Sequence, residues 1–185
     1  MEQESKNNSL ATIQTQGLAT ITKSQFLKDL ALPEVQKICR TMNDYPAVLE
    51  SSLPTIGSIN RQFGFDFTQA YIEGWIVNLR EFINVGKKMN DTQTQETAML
   101  IIETYPSLKI ADINLIFKRA KLGKFGSMYD RLDGQLVLSW FESYFNERCE
   151  AAANISMREA DKFKGDLRTE SFDQIIKLTN KFKFK

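Results

Sequence analysis

The sequence predicts an all-α protein: an irregular multi-helix bundle with one long C-terminal helix and a flexible N-terminal arm. Three observations predict it. Apolar residues recur at the three- and four-residue spacing of a helix face in one segment after another. No stretch alternates apolar and polar residues for long enough to make a sheet. Prolines stand where first helical turns begin, and glycines stand just past helical stretches. With 185 residues, 42% of them apolar and 25% charged, the chain is long enough for one domain with a real core and a small appendage.

Residues 1–22 are rich in Gln, Ser, Thr and Asn with scattered apolar positions, which is the composition of an arm without a core of its own. The helical domain is expected over 23–168, and a terminal amphipathic helix with a basic tail over 169–185. Ser24 is a candidate N-cap for "QFLKDLA", and Pro33 opens "PEVQKICRTM", with Val35, Ile38 and Cys39 on one side. Pro46 and Pro54 cut the next region into two short helices or turns. "FDFTQAYIEGWIVNLREFINVG" carries Tyr71, Ile72, Trp75, Ile76, Leu79, Phe82 and Ile83 as a broad apolar stripe. Thr68 or Asp66 is its expected cap, Gly86 its end, and Gly74 a point where a neighbouring helix crosses closely. Asp91 is expected to cap "TQTQETAMLIIETY", which Pro106 stops. "SLKIADINLIFKRAKLG" turns Ile110, Ile113, Ile116 and Phe117 inward and ends at Gly123. Asp133 caps the long helix, whose first half holds Leu136, Val137, Trp140, Phe141, Tyr144 and Phe145 and whose second half is polar and alanine-rich.

Composition excludes several chemistries. There is no histidine, which removes Ser-His-Asp and Cys-His catalysis, the usual zinc sites and the Glu-x-x-His iron sites of helical bundles. The two cysteines, Cys39 and Cys149, are far apart and are expected to be reduced. The net charge of +1 means that binding to nucleic acid must come from a local patch. No apolar run approaches the roughly 20 residues that cross a bilayer. "MEQESKNNSLATIQTQG" lacks the features of a signal peptide, so a cytoplasmic protein is expected. No catalytic residue, metal site or cofactor is predicted.

One patch stands out. Over residues 118–131, five cations face one acid, Asp130, with Phe125 and Tyr129 interleaved. Lys118, Arg119, Lys121, Lys124, Phe125 and Arg131 are therefore candidate nucleic-acid-binding residues, the cations for phosphates and the ring for a base. Gly123-Lys124-Phe125-Gly126 also fits the Gly-x-x-Gly clamp of KH domains, but a turn follows where that loop enters a helix. It does not fit a Walker loop, which needs four residues between the first glycine, placed after a strand, and Gly-Lys; here Gly123 and Gly126 are only three apart and follow a helix. The competing account is structural: cations complement the negative end of a helix dipole, and the glycines stop the helix and reverse the chain. "YDRLDG" fails the calcium-loop template because Leu132 and Gly134 fall where oxygen ligands belong.

Residues 102–152 carry a wider pattern: Tyr105-Pro106, Leu108, Asp112-Ile113, Phe117, the Gly123-Lys124/Gly126 turn, Tyr129, Asp133-Gly134, then Trp140, Tyr144 and Glu147-Arg148. It resembles a family of small uncharacterised helical proteins from Bacteroidota phages and mobile elements, and is faintly similar to phage helicase-loader proteins. The resemblance implies no catalytic residue. The expected function is therefore that of a non-enzymatic accessory protein binding a replication or DNA-handling protein. Direct nucleic-acid binding through the basic loop and a virion or assembly component are the alternatives.

Overall fold

The computed structural model describes residues 21–126 and 131–182, with residues 162–182 as backbone only. The helices are α1 (Lys23–Leu30), α2 (Leu32–Ile38), α3 (Tyr45–Glu50), α4 (Ile56–Phe63), α5 (Phe65–Phe82), α6 (Asp91–Thr104), α7 (Ile110–Lys121) and α8 (Gly134–Phe182). Among the described residues no strand forms, only two single bridges, Thr55 with Lys109 and Lys87 with Arg131. The all-α class is thus observed. The chain divides into two units, Met1–Phe145 and Asn146–Lys185.

Several helix starts lie one or two residues from where the sequence suggests. Thr22 rather than Ser24 caps α1, its Oγ1 accepting from the Gln25 N–H at 3.2 Å. The preceding Ile21 is buried, so the last two positions of the expected arm belong to the folded unit, while residues 1–20 lie outside the described residues. Asn90 rather than Asp91 caps α6 in a reciprocal box with Gln93, at 2.8 and 3.0 Å. Neither Asp66 nor Thr68 caps α5. Gly64 holds that position at φ +89°, and Thr68 is pulled inward, its hydroxyl donating to the Gly64 carbonyl. α5 ends at Phe82, four residues before Gly86, because the chain turns extended at Ile83 to bury that side chain. Asp133 does cap α8, accepting from the Leu136 N–H at 2.9 Å. Gly123 does stop α7 with a positive φ of 70°.

In the first unit α5 packs against α4, α6 and α7, while α2 covers α1 and α7. Phe26 is enclosed by Phe63, Phe67 and Tyr71 with centroids at 5.1–5.5 Å. Trp75 stacks on Phe117 at 6.0 Å, Phe117 meets Phe141 edge-on, and Phe141 meets Tyr105. Each fully buried side chain of this size contributes about 1.5–3 kcal/mol. The predicted stripe of α5 is buried except for Phe82, which is 60% exposed. Gly74 has only ordinary room beside Leu32, so no close crossing requires it there. The close approach lies at Gly134, where a β-carbon would sit 2.4 Å from the Thr97 Oγ1.

In the second unit the backbone is helical to Phe182, and no residue from Asn146 to Asp161 is buried. That agrees with the polar, alanine-rich reading of this stretch.

Candidate functional site

The basic cluster that the sequence singles out is dispersed by the fold. Lys118 donates to the Asn43 side-chain oxygen at 2.6 Å and to the Arg40 carbonyl at 3.3 Å. Arg119 turns the other way: it donates to the Tyr45 hydroxyl, and its guanidinium lies 4.5 Å from the Tyr45 ring centroid and 5.4 Å from that of Tyr144. Lys121 donates to the Asn78 oxygen at 2.7 Å and covers the Phe82 ring at 5.1 Å. Burial holds its ammonium below the usual lysine range. Phe125 stacks on Trp140 at 5.7 Å. Lys124 is exposed, and Arg131, also exposed, pairs with Asp133 at 3.1 Å. Lys118 thus faces the turn after α2 and Lys121 faces α5, Arg119 faces α3 and α8, and Lys124 and Arg131 remain exposed. Tyr129 and Asp130 lie outside the described residues.

Arg119 belongs to a polar seam that composition does not reveal. Asp112 is fully buried, and its two oxygens have different tasks. Oδ2 accepts from the Lys109 backbone N–H at 2.7 Å, fixing the start of α7. Oδ1 accepts from the Tyr144 hydroxyl at 2.9 Å, fastening α8 to α7. Burial, and then the nearby Asp112 charge, pushes the Tyr144 phenol far above its ordinary value. The Lys109 ammonium donates to the Leu49 and Ser51 carbonyls and so ties down the end of α3. This seam joins three helices through side chains that all have partners, and it holds them in register.

Beside that seam lies a groove between α6 and the first turns of α8, with a volume of about 660 Å³. Gln93, Glu96, Leu100 and Thr104 lie on one face of α6 at helical spacing; Gln135, Leu138 and Glu142 answer them from α8. The capping of α6 by Asn90 and of α8 by Asp133 fixes where each face begins. Thr97 against Gly134 brings the two backbones together at one end. Leu100 is 40% exposed and Leu138 half-buried, so the groove has an apolar strip along its length. Three acids, Glu96, Asp133 and Glu142, border it, and no lysine or arginine lines it. The acid at Glu142 is felt inside: burial first and Glu142 second raise the Tyr105 phenol above its usual value.

Every residue lining the groove falls between Gln93 and Glu142. Residues 88–172 match the profile of a family of unknown function, DUF6633. The DUF6633 match covers less than half of the chain and contains the whole 102–152 stretch that carries the sequence resemblance. It takes in α6, α7 and α8 as far as residue 172, hence the complete groove and the Asp112–Tyr144 fastening, while α1 to α5 lie before it. No curated protein and no solved structure matches the chain.

The groove was not legible from motifs. Its signal was only a row of polar residues in α6, "TQTQETAML", with Leu100 stranded among them.

Proposed function

We propose that this protein is a non-enzymatic accessory protein that binds a replication or DNA-handling protein, docking a basic amphipathic segment of that partner in the α6–α8 groove. The observation that carries this reading is the groove itself: an apolar strip lined by Glu96 and Glu142 with no lysine or arginine in the lining and built only from residues inside the DUF6633 match, Asp133 at its end being paired with Arg131. Proteins that handle DNA carry lysine and arginine for phosphates, and such surfaces complement a row of carboxylates. Twelve residues of α6, Gln93 to Thr104, span about 16 Å at 1.5 Å per residue, the length of a three-turn helix laid in a groove. The resemblance of residues 102–152 adds the setting, a phage or mobile element acting in the host cytoplasm.

The test is a photo-crosslinking residue placed at Leu100 or Ser139 in the protein expressed in its native host. The expected product is one dominant adduct with a DNA-handling protein, lost when Glu96 and Glu142 are both changed to lysine. Adducts only with unrelated abundant proteins, or an adduct insensitive to the charge reversal, would refute the reading.

A further inference from the structure

A second concave site, independent of the groove, lies where α2, α5 and α7 meet. Its volume is about 460 Å³, within the usual range for small-molecule pockets. The aromatic rings of Trp75 and Phe117, both buried, and the exposed ring of Phe82 form its walls. Three cations, Arg40, Lys118 and Lys121, stand around it, and no acid lines it. The hydrogen bonds of Lys118 and Lys121 all go to neutral oxygens, so their charge is not matched by a carboxylate. That leaves an ammonium at Lys121 that burial already disfavours, a cost an entering anion would offset.

Two polar groups of the lining carry the argument, the Asn114 amide and the Trp75 indole N–H. Asn114 is only 6% exposed and lines this cavity, and its amide has no hydrogen-bond partner among the described residues. Among the described residues the fully buried polar side-chain atom left without a partner is the Nε1 of Trp75, in the same lining, and such groups in folded proteins usually have a ligand or an ordered water. The donors and acceptor of the Asn114 amide face the same space as the uncompensated ammonium groups. Cys39, also on the lining, adds an inert wall rather than a nucleophile, because burial pushes its thiol up to about 11.

We infer that this cavity binds a small aromatic carboxylate: the ring against Phe82 and the cavity-facing side of the stacked Trp75–Phe117 pair, the carboxylate at Lys118 and Lys121, and a polar atom of the ligand on the Asn114 amide.

The test uses the full chain labelled with ¹⁵N and two probes, indole-3-acetate and its neutral analogue indole-3-acetamide. The indole N–H resonances of Trp75 and Trp140 are told apart with Trp140→Phe. Titration with the acid is expected to move the Trp75 resonance to saturation, and the amide to bind about tenfold more weakly or worse. Lys118→Gln, Lys121→Gln and Asn114→Leu should each weaken the acid by about tenfold. The exposed Arg40→Gln gives a further variant that leaves the packing alone. An unmoved Trp75 resonance at the solubility limit of the acid overturns the inference. So does equal binding of acid and amide, or affinity indifferent to Lys118, Lys121 and Arg40. None of these outcomes touches the groove, which the crosslinking at Leu100 and Ser139 tests separately.

Discussion

Tyr144→Phe is the sharpest test of what fastens the start of α8 to α7. The change removes one oxygen and keeps the ring, with its contacts to Tyr45 at 5.2 Å and to the Arg119 guanidinium at 5.4 Å. What it deletes is the 2.9 Å hydrogen bond to Asp112 Oδ1, between two side chains of zero exposure. A hydrogen bond to a carboxylate is worth about 1.5–3 kcal/mol net. For a chain of this length each kcal/mol moves Tm by about 2–4 °C, so a loss near 2 kcal/mol lowers Tm by about 4–8 °C. Urea unfolding followed by tryptophan fluorescence reads this well, because Trp75 and Trp140 both lie in the first unit. The midpoint should fall while the slope stays constant, since the surface exposed on unfolding does not change. Asp112→Asn should cost at least as much. Its single oxygen cannot accept from both Tyr144 and the Lys109 N–H, and its amino group meets whichever donor is left. In a double-mutant cycle the two changes should couple by about 1 kcal/mol or more. Strict additivity, or a Tyr144→Phe effect within about 0.5 kcal/mol of zero, would refute the argument that this bond fastens α8 to α7.

Other expectations follow from the same geometry. Gly134→Ala should cost about 1–3 kcal/mol, because its β-carbon would meet Thr97 Oγ1 at 2.4 Å, and Thr97→Ala should restore much of it; a chemical denaturation series checks both. Stability should decline with rising alkalinity. The Cys39 thiol is raised from 9.0 to about 11, and Tyr71 and Tyr144 are raised from 10.0, so their contribution is full below pH 9 and is lost as the pH climbs through about 11 and beyond. Urea midpoints at pH 8 and above pH 10 measure this, and Cys39→Ala should flatten the dependence. An alkylating reagent should label one thiol in the native protein, the exposed Cys149, and two in denaturant, counted by mass spectrometry. Lys124→Glu with Arg131→Glu should lower Tm by no more than about 4 °C, since both side chains are exposed and the surface pair of Arg131 with Asp133 is worth at most about 1 kcal/mol. Neither this variant nor its parent should be retained on single-stranded DNA at about 0.15 M salt. Retention of the parent that the variant loses would favour direct nucleic-acid binding instead.

The helices were legible because local signals suffice for them: the apolar stripe of α5, the glycine after α7, the aspartate before α8. Caps were misread where two polar residues compete, as Asn90 and Asp91 do, since the choice depends on which side chain can reach the third amide. Phe82 was misread because spacing gives a face but not where the neighbouring helices stop covering it. The basic patch was legible as composition and misleading as geometry. Lys118, Arg119 and Lys121 sit within one turn, yet helical rotation sends Arg119 to Tyr45, Lys118 to the turn after α2 and Lys121 to α5. Asp112 and Asn114 were invisible as functional polar groups, because they lie inside an otherwise apolar run. Only tertiary structure shows that one of them is satisfied by Tyr144 and the other faces a cavity.

That rotation also answers why the end of α7 carries more positive charge than its dipole requires. A helix C-terminus gains from cations in its last turn, by roughly 0.3–1 kcal/mol each at an exposed position. This does not account for a lysine that gives up hydration to lie over Phe82, nor for a pair of ammonium groups bonded to neutral oxygens alone. The Phe82 ring and the neutral oxygens offset part of that desolvation, and an anion entering the cavity would offset more of it. In the first unit cations therefore line the α2–α5–α7 cavity, while Glu96 and Glu142 line the α6–α8 groove. A ligand that suits one is repelled by the other. Reversing Glu96 and Glu142 should leave the aromatic carboxylate bound, and neutralising Lys118 and Lys121 should leave the protein partner crosslinked. A variant at either site that disabled both would mean the two share one ligand, contrary to the charges that line them.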